Sequence, residues 1–402
     1  MKLNLLAAAA IGALGISHAG AADLGGENLS ITGFGTLAAA RSNTEEARYV
    51  RSNQREGTAG TTTIGLDSNL GLQATYKFSD KLSATTQILS RKSTGDSFTT
   101  ELMWAFAKYQ VNDDIAVRVG RVVMPTFLIS DYQNVGYANT MIRPPTELYG
   151  SNFLENLDGA DVTWQHSVGD TTFTVQGAAG IVHGKVYSRS AGKAERFQSP
   201  HAAIAFTAEH GPVTLRVAHV RGKLTVNEPA LDGLADAVAH AGFGQFASDF
   251  SMREEKVISF TSVGLMADWN NIVVQSEYGM RRGVDKMFLA DADAWYVMAG
   301  YRFGKVLPYY AHGSFKSKPS VGIPAGLANI PALYGAMSGV LARTAQSSDT
   351  IGVRWDFAKS AALKVQVDRV KPGVKNALLQ DVTAAGVGKN VTVFAAGVDF
   401  VF

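Results

Sequence analysis

Asn69-Leu70-Gly71-Leu72-Gln73-Ala74-Thr75-Tyr76-Lys77-Phe78 alternates an apolar residue with a polar or small one at every step. A period of two is the side-chain period of an extended strand, so one face of this segment is greasy and the other wet. The pattern returns in Phe173, Val175, Gly177 and Ala179, with Thr174 and Gln176 between them, and again in Trp295, Val297, Ala299, Tyr301 and Phe303. It closes the chain in Phe394, Ala396, Val398, Phe400 and Phe402, with Asp399 on the opposite side.

The connections between such segments alternate in length. Short turns are expected at 79–81, 112–114, 167–170, 210–212, 270–271, 304–305 and 358–360. Long connections are expected near 42–61, 91–99, 124–158, 180–199, 221–255, 281–293, 316–346 and 371–390. Seven short turns and eight long loops join sixteen strands. A soluble sandwich has no reason to keep every long loop at one end, whereas a barrel closed in a membrane has short periplasmic turns and long extracellular loops. The length allows about 24 residues per strand with its connection, against about ten for a tilted spanning strand. The reading is therefore all-β: a transmembrane antiparallel β-barrel of 16 strands. Two loops, Pro229 to Phe250 and Ile323 to Arg343, are alanine-rich with helical apolar spacing, so short surface helices packed on the rim are expected there.

Composition agrees with that reading. Mean hydropathy is +0.02, yet beyond the first residues no run reaches the ~18 apolar residues of a membrane helix. A barrel with a lipid face and a watery lumen resolves the conflict residue by residue. Met1-Lys2, the apolar run Leu3 to Ile16 and the small residues Ala19-Gly20-Ala21 make a secretory leader with cleavage expected after Ala21, leaving 22–402 as the barrel. No cysteine is present, which excludes disulfide scaffolds and thiolate metal sites. Basic and acidic residues number 37 and 35, so net charge gives no reason to expect a nucleic-acid partner. No cofactor and no metal is expected. Tyr76, Phe78, Tyr109, Trp269, Phe303 and Phe357 fall beside the short turns, where an aromatic girdle meets lipid headgroups.

Alternation aims Arg118, Arg216, Arg354 and Lys364 into the lumen, because Val117, Val119, Val353, Trp355, Leu363 and Val365 take the lipid side. A basic residue turned to lipid near the midplane costs roughly 2 to 4 kcal/mol, which favours that placement. Strict alternation from Val119 aims Arg121 outward instead, unless a bulge at Gly120 intervenes.

Val117-Arg118-Val119-Gly120-Arg121, the long loop after it and the terminal Phe402 together resemble the general trimeric porins of Gram-negative outer membranes, over the whole chain after its leader. The resemblance implies a homotrimer in outer-membrane lipid and a water-filled channel for passive diffusion of small polar solutes and ions. It also implies that the third loop, about 124–158, folds into the pore with acidic residues facing basic residues of the wall. Phe402 is then the signal read by the barrel-assembly machinery. Two departures mark a divergent member: Asn69 stands where a wall arginine is usual, and the loop reads Met124-Pro125-Thr126-Phe127 in place of the usual proline-glutamate-phenylalanine-glycine.

The loop's charges are Asp131, Arg143, Glu147, Glu155 and Asp158, and it carries Tyr132, Tyr137 and Tyr149. Asp131, Arg143 and Glu147 on the loop, with Arg118, Arg121, Arg216, Arg354 and Lys364 on the wall, are the expected constriction residues. Confined charges between low-dielectric walls act strongly on passing ions. The plainer reading of each is a solvated loop or lumen charge. An enzyme is not expected, for neither a Gly-x-Ser-x-Gly elbow nor a His-Glu-x-x-His motif occurs. Gly386-Val387-Gly388-Lys389 lacks the spacing of a phosphate loop. A non-conducting structural or adhesin barrel is the alternative, and a transporter with a plug domain is disfavoured because only Ala22 to Asn28 precede the first strand.

Overall fold

The computed structural model describes residues 26–95, 97–152, 154–188, 193–226, 228–373 and 378–402. The expected leader, 1–21, lies outside the described residues. Sixteen strands follow one another: β1 Leu29–Ser42, β2 Asn69–Lys77, β3 Leu82–Lys92, β4 Phe98–Gln110, β5 Ile115–Val123, β6 Asn156–Val168, β7 Thr171–Ser188 and β8 Lys193–His210. Then come β9 Val213–Leu224, β10 Lys256–Trp269, β11 Ile272–Gly283, β12 Asp291–Tyr301, β13 Val306–Lys318, β14 Ala345–Ala358, β15 Ala361–Pro372 and β16 Val391–Val401. Each pairs antiparallel with its sequence neighbours, and β16 pairs back onto β1, so the sheet is a closed barrel. Closure pairs every strand on both sides over the shared part of the ladders, which is what lets a sheet stand in hydrocarbon; the upper ends of β4 and β7 run on past β5 and β6. The last residue completes it: Phe402 N donates to Gly33 O at 2.9 Å and Gly33 N to Phe402 O at 2.7 Å.

Alternation is realised as expected. Leu70, Leu72, Val119, Val263, Val297, Ile351 and Phe394 are exposed on the outer face, while their neighbours Gly71, Arg118, Ser262, Tyr296, Thr350 and Val393 are buried inside. Tyr76, Phe78, Tyr109, Trp269, Phe303 and Phe357 are all exposed beside the short turns. The turn Asn270-Asn271 has φ of 47° and 71°, the left-handed pair that a two-residue hairpin needs and that asparagine tolerates. This architecture matches a multi-pass outer-membrane β-barrel.

The connections at the end opposite the short turns are L1 (43–68), L2 (93–97), L3 (124–155), L4 (189–192), L5 (225–255), L6 (284–290), L7 (319–344) and L8 (373–390). Two differ from the sequence reading. L2 is shorter than expected, because β3 and β4 continue to Lys92 and from Phe98. Instead of a long loop over 180–199, β7 and β8 pair without interruption from Thr171↔His210 to Ser188↔Lys193, with 189–192 outside the described residues. A hairpin rising clear of lipid needs no apolar outer face, so its sequence turns polar while its hydrogen-bond ladder continues.

L5 holds helices α2 (Pro229–His240) and α3 (Gly244–Phe250), and L7 holds a 3-10 turn (Ala325–Asn329) and α4 (Pro331–Val340). Ala235, Val238, Phe246, Phe250, Leu327, Met337 and Leu341 form a core shared by these two loops, joined by Phe288 of L6. The rim helices thus make a small cap with its own apolar interior.

Candidate functional site: the lumen and the third loop

L3 leaves β5 and turns into the barrel. A 3-10 turn (Gly136–Ala138) and the short helix α1 (Thr146–Tyr149) are its only regular parts among the described residues. Phe127, Leu128, Ile129, Met141, Leu148 and Tyr149 are buried against Phe260, Tyr296, Met298, Tyr309 and Phe315 of the wall. L3 thus seats an apolar core against the half of the wall that begins at β10, chiefly β10 to β13, and the same core takes in Phe106 of β4, Val122 of β5, Ala178 of β7, Ala203 of β8 and Val220 of β9.

Polar anchors hold the loop in that half. Lys364 Nζ on β15 donates to the carbonyls of Gly136 (2.7 Å), Asn139 (2.6 Å) and Met141 (3.1 Å) and is ion-paired with Asp399. Arg354 Nη1 donates to the carbonyls of Tyr137 and Asn139, both at 2.8 Å, and its guanidinium lies 5.0 Å from the centre of the Tyr137 ring. Arg143, about 2 % exposed, spans Asp67 of L1 and Asp368 of β15. Burial works against its charge, yet those two carboxylates hold the guanidinium well above its ordinary value. Glu147 accepts from Gln346 Nε2 at 3.0 Å and is fully buried; that burial raises its carboxyl above the usual range. Glu277 on β11, which the sequence reading did not single out, accepts from Leu128 N (2.6 Å), Tyr296 Oη (3.0 Å) and Tyr149 Oη.

Four expected site residues, Arg143, Glu147, Arg354 and Lys364, thus meet through L3, and their contacts pin the loop. The remaining polar surface lies on the other arc. Arg118 is lumen-facing on β5, ion-paired with Asp161 of β6, and lies 5.1 Å from the centre of the Phe106 ring. Arg216 on β9 donates through Nη1 to Thr207 Oγ1 at 3.3 Å, while its Nε and Nη2 are buried without a partner. Tyr132 of L3 faces this region. Burial, with the carboxylates of Glu277 and Asp131, holds its phenol above the usual range, and Arg216 acts in the opposite sense. Asp131 is partly buried and within electrostatic reach of Arg118.

Arg121 is the exception. Its partners across the sheet are Ala105 and Asp158, no register shift occurs at Gly120, and it shares its face with Val117 and Val119. The bulge that would bring it into the lumen is absent; Gly120 instead takes φ +131°, where a Cβ would collide with the carbonyl of Ala105. Arg121 pairs with Asp158 through Nε (2.6 Å) and Nη2 (2.7 Å) and donates to Leu102 O at 3.1 Å. Asp158 also binds His183 Nδ1 at 2.9 Å.

At the long-loop end a cavity of about 490 Å³ is bounded by L1, the tops of β3 and β4, L3 and the β7–β8 hairpin. Below it a cleft of about 10 Å³, lined by Gln87, Trp104, Asp131, Tyr132, Gln133 and Glu155, is close to the smallest space that holds one water. Gln133 and Glu155 line both. Arg91 grips Glu155 at 2.9 Å and Glu101 at 3.2 Å beside this neck. Glu155 is half-buried; desolvation works against its charge, but the Arg91 guanidinium holds its carboxyl below the usual range. Arg91 was missed because its segment was read as the start of a loop.

Among the described residues no group of three or more histidine, aspartate or glutamate side chains could hold a metal ion.

Barrel, inward loop and apolar exterior define a sixteen-stranded outer-membrane-type barrel. Solved structures share that fold at low identity. The chain resembles the trimer form of OmpT of Vibrio cholerae with a TM-score of 0.55 and 12% identity, covering 94% of this chain and 100% of that one. It resembles an anion-selective porin from Comamonas acidovorans with a TM-score of 0.54 and 12% identity, over 93% and 99% of the two chains. For OmpF of Salmonella typhi, in a complex with daunomycin, the values are 0.52 and 15% over 93% and 98%. No protein-family model and no curated protein matches the sequence.

Proposed function

We propose that the protein is a porin, a narrow outer-membrane channel for passive diffusion of small polar solutes and ions. The observation that carries this reading is the division of the lumen by L3. L3 seats an apolar core inside the barrel, chiefly against β10 to β13, and beside it Gln73, Gln87, Lys108, Arg118, Asp131 and Arg216 keep a polar face turned inward. Unpaired donors of Arg216 opposite the acidic and phenolic groups of L3 supply a field across the remaining path. Asp131, Arg118 and Arg216 are the constriction residues in this proposal, while Arg143, Glu147, Arg354 and Lys364 fix the loop that makes it.

Assembly as a homotrimer, and recognition of Phe402 by the barrel-assembly machinery, belong to the same proposal; they are supported by the resemblance of the strand order and terminal residue. The test is planar-bilayer conductance of the refolded protein. Small, discrete, ion-permeable steps are expected, because L3 is packed inside the barrel and narrows its lumen.

One observation favours a second reading. The apolar packing of L3 inside the barrel and the capped rim also suit a shut structural barrel whose L5 and L7 helices are the working surface. Absence of any conductance step, with the barrel folded, selects that reading.

A further inference from the structure

The β7–β8 hairpin places Lys185 directly opposite Arg196 in its ladder. Like charges facing each other across two strands destabilise the pair. Among the described residues neither side chain has an ion-pair or hydrogen-bond partner, and both are exposed where they line the 490 Å³ cavity. The tip of L1 is fastened to this spot: Asn53, at φ 58°, donates through Nδ2 to Lys185 O at 2.7 Å. Two residues earlier Arg51 lines the same cavity, also without an ion-pair or hydrogen-bond partner for its guanidinium.

The other cations of the cavity, three in number, are ion-paired with four carboxylates. Arg91 is matched by Glu101 and Glu155, Lys92 by Glu56, and Arg121 by Asp158. Arg51, Lys185 and Arg196 add three more positive charges; Arg51 lies within electrostatic reach of Glu155 and Asp67, while among the described residues Lys185 and Arg196 have no carboxylate paired with them, so the excess of positive charge sits at the hairpin. Two further polar atoms there are buried and unsatisfied, Arg91 Nε and Asn53 Oδ1. The volume is that of a small-solute site. A strained register pair of cations, a third cation tied beside it and unfilled space between them have one chemical complement.

We propose that this cavity binds a compact dianion bearing phosphate or carboxylate groups, held between Lys185 and Arg196 on the hairpin and Arg51 on L1. The site deepens the channel reading by naming a solute class, and it rests on that reading only for its role in transport. Charge-assisted hydrogen bonds to both hairpin cations relieve their mutual repulsion, so the anion also stiffens the hairpin.

The experiment is calorimetric titration of the full refolded protein in zwitterionic detergent, at low ionic strength, with inorganic phosphate and separately with succinate. Chloride salts serve as the monovalent control. The unaltered protein is expected to bind both dianions, and K185Q/R196Q to weaken binding at least tenfold. R51Q should weaken it less. R196E, which replaces repulsion by attraction in the hairpin, should abolish binding while leaving the heat-modifiable gel mobility of a folded barrel in place. K305Q, in a short turn at the far end, should change nothing. Equal affinity in all variants, or no binding by the unaltered protein, overturns the site. Phosphate binding without conductance sinks the channel and keeps the site; conductance without phosphate binding does the reverse.

Discussion

Lys364 on β15 and Asp399 on β16 form an ion pair at 2.7 Å with both side chains closed off from solvent, and the same ammonium holds three carbonyls of L3. Thr36 Oγ1 donates to the other carboxylate oxygen of Asp399 at 2.5 Å. The pair therefore links the seam where the barrel closes to the loop that divides its lumen. Removing one partner leaves a buried charge uncompensated, at a cost of about 3–5 kcal/mol. Lys364→Met is expected to lower the thermal unfolding midpoint and to free L3 for protease cleavage. Limited proteolysis followed by mass spectrometry checks it, and an intact L3 at the unaltered protein's protease dose would refute the anchoring role.

Arg118, Arg121 and Arg216 separate by strand parity, and ion preference separates them experimentally. Arg118→Ala leaves Asp161 without its partner inside the lumen, and Arg216→Ala removes unpaired donors from the path. Both are expected to move the bilayer reversal potential towards cation preference. Arg121→Ala acts on the face shared with Val119 and is expected to leave that potential where it was. A shift from Arg121 equal to that from Arg118 contradicts the placement.

Glu147 gives a pH dependence. Its folded-state carboxyl is raised by burial, so the folded protein binds the proton more tightly than the unfolded chain does. The stability gained from that proton is complete below the ordinary glutamate value of about 4.3 and is lost as pH rises through the raised folded value. Acidifying from neutral into that window is expected to raise the melting temperature through this residue, and Glu147→Gln to remove the gain. Melting curves of both proteins across the range decide it. Parallel pH profiles would show that Glu147 contributes no proton linkage.

Parity carried most of what the sequence revealed. In Asn69 to Phe78 the outward set is apolar and the inward set polar, so strand, face and barrel follow from one rule. Lys364 and Arg354 were placed inward by the same rule, but not on the carbonyls of L3, because parity fixes a direction and not a partner. L3 itself was legible as a long loop only. Its burial depends on Phe127, Leu148 and Tyr149 meeting Phe260 and Tyr296 from strands more than a hundred residues away, and no local pattern encodes that meeting. Arg121 shows the opposite case: alternation aimed it outward, while the resemblance placed it in the lumen, and the unbroken register at Gly120 sides with alternation.

Phe250 tests whether the rim helices are independent of the barrel. It is 1% exposed, its ring centroid lies 6.5 Å from Phe246 and 5.9 Å from Phe288, and its carbonyl accepts from Phe288 N at 3.0 Å. Its core is separate from the apolar core inside the lumen. Truncating a buried phenylalanine costs about 3–5 kcal/mol, which is large against a cap of a few short helices and small against sixteen hydrogen-bonded strands in lipid. Phe250→Ala is therefore expected to open L5 and L7 to protease while the barrel keeps its unfolding midpoint and its heat-modifiable mobility. Should the midpoint fall together with cap protection, cap and barrel unfold as one unit, and the rim helices are part of what holds the cylinder closed.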